Sequence, residues 1–155
     1  MPDFELARST SIQADPSTVH ALIDDFHEWI SWSPWEGVDP ALRRTYSGPD
    51  RGVGAAYAWS GNRKAGQGRM EITGSTDLEI RIRLDFVKPF KAGNDVAFIL
   101  EPDGASTAVT WRMTGRRSWL MSAMNKVLNF DKMVGEDFTK GLRQLKRQAE
   151  ARASA

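Results

Sequence analysis

Along most of the chain, hydrophobic positions recur with a period of two. Val53, Ala55, Tyr57 and Trp59 alternate with small residues. Gly68, Met70 and Ile72 alternate with Arg69, Glu71 and Thr73, and Ile80, Ile82, Leu84 and Phe86 with Glu79, Arg81, Arg83 and Asp85. Val96, Phe98 and Leu100, then Thr107, Val109, Trp111 and Met113, continue the pattern. Ser-Gly-Asn at 60–62, the stretch from Lys88 to Asn94, and Pro-Asp-Gly at 102–104 separate the runs with turn chemistry. Such alternation predicts an antiparallel sheet with one apolar and one wet face, whose charges pair across strands. Upstream, Phe4 to Ile12 reads as a first strand whose inner set is broken by Arg8. Asp15 and Pro16 are suited to start a helix, and Val19, Leu22, Ile23 and Phe26 give it an apolar stripe over residues 16–26.

The period then lengthens to 3–4 from about Ser118 to Ala151. Leu120, Met124, Val127, Leu128, Val134, Phe138, Leu142, Leu145 and Ala149 form the stripe of a long C-terminal helix. One apolar sheet face and one apolar helix predict an α+β fold, a curved antiparallel sheet of about seven strands wrapped around that helix. Gly135 and Gly141 interrupt the helical run, and Met113, Met121, Met124 and Met133 supply adaptable side chains. Together they predict an interior with room for a ligand.

Between the first helix and the sheet lies HEWISWSPWEGVDP, with three of the chain's six tryptophans inside seven residues. A second short helix over His27–Ile30 sets Trp29 and Trp32 on about the same side, and Pro34 turns Trp35 elsewhere. Such a segment serves either as an aromatic lid over a cavity or as a plug that seals the core.

With 155 residues, the chain is expected to form one domain over 1–155. It lacks cysteine, which excludes disulfides and thiolate metal sites and points to the cytoplasm. No signal peptide or membrane span is read from the sequence. Charge is balanced, 21 Lys+Arg against 20 Asp+Glu, so no field of the kind that holds nucleic acid is built. The basic stretch KGLRQLKRQAEARASA reads as a solvated helix face.

Catalytic signals are sparse. His20 reads as a rim residue, and Asp24 and Asp25 as carboxylates at a helix end facing solvent. Two separate histidines form no metal constellation, and no cofactor is called for. Gly61, Gly66 and Gly68 stand in a strand-turn-strand context without the Lys-Ser/Thr of a phosphate loop. The inward-facing groups with acid–base chemistry are Tyr57, Arg8 and His27, of which Tyr57 and His27 are the catalytic candidates. Lys88, Lys91 or Asn94 could be aimed by their turn at the far end of the interior.

Five segments, WISWSPWEGVDP, AYAWSGNRKAGQGRMEI, DFVKPFKAGN, TAVTWRMTG and FDKMVGEDFTKGLRQLK, resemble in order the polyketide cyclase/dehydrase-like branch of the START-like (SRPBCC) superfamily. The resemblance implies a helix-grip fold: one strand, two short helices, six more strands and a long helix over a hydrophobic cavity. It adds a strand between Leu42 and Ser47 that the residue pattern signals only weakly. The preferred reading is a protein that binds a small hydrophobic or amphipathic ligand such as a lipid, quinone or polyketide-like metabolite. Its expected contacts are Trp32, Trp35, Tyr57, Trp59, Met70, Phe98, Trp111, Met113, Met121, Met124 and Phe138. The resemblance also implies a cyclase or dehydratase of aromatic polyketides, and, third, a protein-interaction module like the chaperone activators. Monomer and homodimer both remain open.

Overall fold

The computed structural model describes residues 4–36, 39–62, 65–88, 91–115 and 130–154. The period-two segments become β1 (Phe4–Ile12), β2 (Arg43–Ser47), β3 (Ala56–Ser60), β4 (Gln67–Thr76), β5 (Glu79–Lys88), β6 (Ala92–Asp103) and β7 (Ser106–Gly115). They form one antiparallel sheet in the order β1-β7-β6-β5-β4-β3-β2. Helix α1 (Pro16–Ile23) and a 3-10 helix (Phe26–Ser31) follow β1, and α2 (Phe130–Ala153) closes the chain. Register shifts between Gln67 and Gly68 and between Ile72 and Gly74 interrupt the β4–β5 ladder; irregularities of this kind bend the bulged strand and increase its twist. This is the helix-grip arrangement.

The core lies where alternation places it. Ile72, Ile80, Ile82, Phe98, Leu100, Val109 and Trp111 from the sheet meet Leu142, Leu145 and Ala149 from α2, all buried. On the outer face, among the described residues, three ion pairs run along one strand and two across strands. Arg69 reaches Glu71 at 2.8 Å and Arg83 reaches Asp85 at 3.1 Å, while the cross-strand pairs Arg83–Asp95 and Arg112–Glu5 are longer, both at 3.5 Å. At this exposure such pairs contribute a few tenths of a kcal/mol each.

Several boundaries differ from the pattern. The third strand begins at Ala56 rather than Val53, because Gly54 adopts φ 97° and leaves Val53 exposed in the preceding turn. Helix α1 ends at Ile23, three residues early, and Asp15 occupies its N-cap position without a side-chain capping bond. The long-helix pattern from Ser118 to Asn129 lies outside the described residues, Met121 and Met124 included. Met133 is exposed rather than part of an interior methionine cluster.

The helix glycines mark close approach, not space. A Cβ at Gly141 would stand 2.9 Å from both Pro34 Cδ and Trp111 Cζ3, two rigid rings. The atoms nearest to a Cβ at Gly135 all belong to the Arg8 guanidinium, the far end of a flexible side chain. Opposite signs are therefore expected from one chemical change. Gly135→Ala should gain up to about 1 kcal/mol from helix propensity. Gly141→Ala should lose about 1–3 kcal/mol by overpacking. Urea unfolding of the two variants checks this, and a stabilised Gly141→Ala would refute the packing argument.

Candidate ligand-binding site

The tryptophan segment folds back on α1. Helices end with carbonyls that lack intrahelical partners. Here the Trp29 indole N–H donates to the Ile23 carbonyl and the Trp32 indole N–H to the Leu22 carbonyl, both at 2.8 Å. Their rings, 4.5 Å apart, then enter the core edge-on to Phe98 and Trp111. Trp111 stacks on Phe138 at 4.1 Å. Trp29, Trp32, Phe98, Trp111 and Phe138 are all buried, so these rings serve as the plug. Trp35 differs: 37% exposed, it leans edge-on against Trp111 and Phe138, and its indole N–H donates to Asp137 Oδ2 at 3.2 Å. It is the rim.

A second aromatic series crosses the inner face of β2 to β5. The His27 ring stacks on Tyr46 at 4.0 Å, and Tyr46 leads to Tyr57 at 5.3 Å. Tyr57 then lies 6.1 Å from Trp59, which meets Phe86 edge-on at 6.0 Å. Phe26 joins this strip to the plug, 5.4 Å from Trp29 and 5.9 Å from Tyr57. Unlike the plug rings, Tyr46, Tyr57, Trp59 and Phe86 are only partly buried. The register explains the series: Tyr46, Tyr57, Met70, Leu84, Asn94 and Gly115 form one inner row. Arg44, Trp59, Gly68, Phe86 and Ala92 form the next. Gly68 lets the Trp59 indole lie flat on the sheet, since a Cβ there would come 2.5 Å from Trp59 Cη2. The indole N–H donates to the Ala65 carbonyl at 2.9 Å. Met70 and Met113 are buried.

Polar groups gather beside the strip. The Arg44 guanidinium bonds the Glu36 carboxylate and lies near Tyr46 and Tyr57. The Tyr46 hydroxyl is buried without a partner. Burial pushes the Tyr57 phenol up to about 12, the nearby Glu36 charge adding to it and Arg44 opposing it. Burial raises Tyr46 as well, against Arg44. The His27 Nδ1 stands 2.7 Å from Asp25 Oδ1, which also accepts from the His27 backbone N–H at 2.9 Å and so caps the 3-10 helix. A small pocket of about 270 Å³ opens there, lined by Phe26, His27, Tyr46, Gly48 and Ala55 among others.

Other expected positions fall elsewhere. Asp24 is buried, not solvent-facing, because it accepts from the Ser75 hydroxyl at 2.7 Å, and His20 approaches the same hydroxyl at 3.3 Å. Arg8 lies in register with Trp111 yet is exposed, donating to the Ala7 carbonyl at 2.7 Å beside α2. Lys88 and Lys91 are exposed, while Asn94 is in β6 rather than in the turn, and is buried.

Comparison with known proteins accords with this geometry. The profile of the family described as "Polyketide cyclase / dehydrase and lipid transport" matches residues 3–150. The chain belongs to this family. The match runs through every element of the helix-grip fold, both aromatic series included. No curated protein sequence matches. Among solved structures, protein CV1439 from Chromobacterium violaceum is similar at 14% identity and TM-score 0.65, over 94% of this chain and 96% of that one. TTHA0849 from Thermus thermophilus is similar at 16% identity and TM-score 0.64, over 97% and 99%. The Aha1 dimer from Colwellia psychrerythraea is similar at 15% identity and TM-score 0.55, over 88% and 96%. At these identities the likeness concerns the fold. No helix among the described residues of this family member is long and apolar enough to cross a membrane.

Sequence reasoning passed over Tyr46, Arg44, Glu36 and Phe86 as site residues. Phe86 had a signal, its place in the β5 alternation. Tyr46 had less, since β2 carries only one hydrophobic residue, and the Glu36–Arg44 pairing spans a connector that periodicity does not describe.

The chain has just two tyrosines, so their titration is readable. Free tyrosine ionises near pH 10. Tyrosinate absorbance of the native protein should rise with both midpoints above 10, and Tyr57→Phe should remove the later step, near 12. Because the folded values are raised, the stability they contribute is complete below about pH 10 and is lost as pH climbs toward about 12. A native titration matching that in urea would refute the burial of these hydroxyls.

Proposed function

We propose that the protein binds a small hydrophobic or amphipathic ligand, such as a lipid, quinone or polyketide-like metabolite, between the inner sheet face and the C-terminal helix. The observation that carries this reading is the contrast between the two aromatic series. The plug rings are spent on the core, whereas Tyr46, Tyr57, Trp59 and Phe86 form a continuous strip that the protein covers only in part. Large aromatic faces left beside a few buried polar groups are what a site for an apolar ligand requires. Family membership supports the same reading. The contacts assigned to the ligand are Tyr57, Trp59, Met70 and Met113, with Trp35 at the rim. Trp32, Phe98, Trp111 and Phe138 form the wall behind them. The cysteine-free composition supports work in a reducing compartment, the cytoplasm.

A second reading, a polyketide cyclase or dehydratase, draws on the Asp25–His27 pair. With His27 Nδ1–H donated to Asp25, Nε2 is the ring's acceptor and suits a general base that takes the proton from an enolising carbon. The Tyr57 O–H would donate to the oxygen that becomes the enolate.

Native mass spectrometry of freshly purified protein, followed by organic extraction, tests the binding reading. A stoichiometric apolar adduct is expected. Trp59→Ala should weaken binding of a neutral naphthalene probe by about tenfold through lost aromatic contact. Tyr57→Phe should leave probe binding nearly unchanged. A protein that carries no adduct and binds no probe would sink the proposal. Loss of turnover on an aromatic polyketide precursor in His27→Ala or Tyr57→Phe, with probe binding intact, would move the assignment to the enzyme.

A further inference from the structure

Asn94 breaks the apolar lining at one end of the inner face. Alternation along β6 turns Asn94, Val96, Phe98 and Leu100 inward, and all four are buried. Asn94 is 1% exposed, yet neither its Nδ2 nor its Oδ1 has a hydrogen-bond partner. An unsatisfied buried amide is costly, and most buried polar side chains in folded proteins have partners. Its row offers no remedy: Leu84 and Gly115 flank it, followed by Met70 and Tyr57 beyond Leu84. An apolar side chain would suit that row better unless something bound there uses the amide. The nearby charges face the other way, Arg83, Asp85 and Asp95 meeting one another on the outer face.

From this placement we infer that Asn94 recognises the polar end of the bound ligand, and that this end is an uncharged group presenting both a donor and an acceptor. The inference rests on the binding reading above and adds the ligand's end-group chemistry. A carboxamide side chain carries two N–H donors and an acceptor oxygen, so it pairs at two points with a primary carboxamide, or with the enol of a 1,3-dicarbonyl. A carboxylate is a poor match, because it offers acceptors only and its charge would stand in a row with no cation among the described residues. The aromatic strip holds the apolar body of the ligand, and Asn94 sets which end enters.

Three probes of nearly equal shape test this on the full chain: 2-naphthamide, 2-acetylnaphthalene and 2-isopropylnaphthalene. They offer a donor and an acceptor, an acceptor alone, and neither. With affinities corrected for water–octanol partition, wild type should bind the amide about ten- to a hundredfold tighter than the hydrocarbon, with the ketone between. Asn94→Leu should bind all three alike, with hydrocarbon affinity kept. If the hydrocarbon binds wild type and the amide gains nothing over it, the Asn94 inference is overturned while the binding reading stands. If none of the three binds, the binding reading itself falls. Should Asn94→Leu fail to fold, the wild-type series alone decides between these outcomes.

Discussion

Two indole N–H groups hold the organisation of this interior together. By donating to the Leu22 and Ile23 carbonyls, Trp32 and Trp29 satisfy the open end of α1. They carry their rings from there into the center of the core. Each bond alone contributes about 1 kcal/mol. The bonds matter because they orient two of the largest side chains, and the edge-on contacts with Phe98 and Trp111 follow from that orientation. The stack of Trp111 on Phe138 then ties the sheet to α2, and Gly141 permits the approach.

Beyond the plug, the inner face is covered unevenly: Met70, Leu84 and Met113 are buried, whereas Tyr46, Tyr57, Trp59 and Phe86 are buried only in part. The plug rings are buried, whereas the strip from His27 to Phe86 is covered only in part, and Phe26 marks the boundary between them. The same residue type has a different role on each side of that boundary. Trp32 is buried in the core, and Trp59, laid flat over Gly68, is covered only in part. The polar groups divide likewise: Ser75 satisfies buried Asp24, but the Tyr46 hydroxyl and the Asn94 amide have no protein partner.

Much of the fold was legible because sheet alternation is a local property. The inward sets of β4 to β7 are those that the period of two picks out, and the stripe of α2 from Val134 to Ala149 is the one read at 3–4 spacing. β2 was nearly silent, since an edge strand with one hydrophobic residue shows little contrast. The candidate site was legible in part. Of the residues read as ligand contacts, Tyr57 and Trp59 lie in the partly covered strip, and Trp32, Phe98, Trp111 and Phe138 lie in the buried ring cluster. Spacing assigns a residue to the interior without saying whether another side chain already covers it.

The sequence by itself determined the alternation, the helical stripe, the turn positions and the presence of a tryptophan-rich connector, because each depends on residues within a few positions of one another. Family membership followed from the same ordered segments. Only the tertiary structure decided what the tryptophans do, why Gly141 must be glycine, and which polar atoms are left without partners. Those answers rest on pairs far apart in the chain, Trp111 with Phe138 and Trp32 with Phe98 among them. Close packing is a property of the assembled interior, where one ring's neighbor decides whether its face is filled or free.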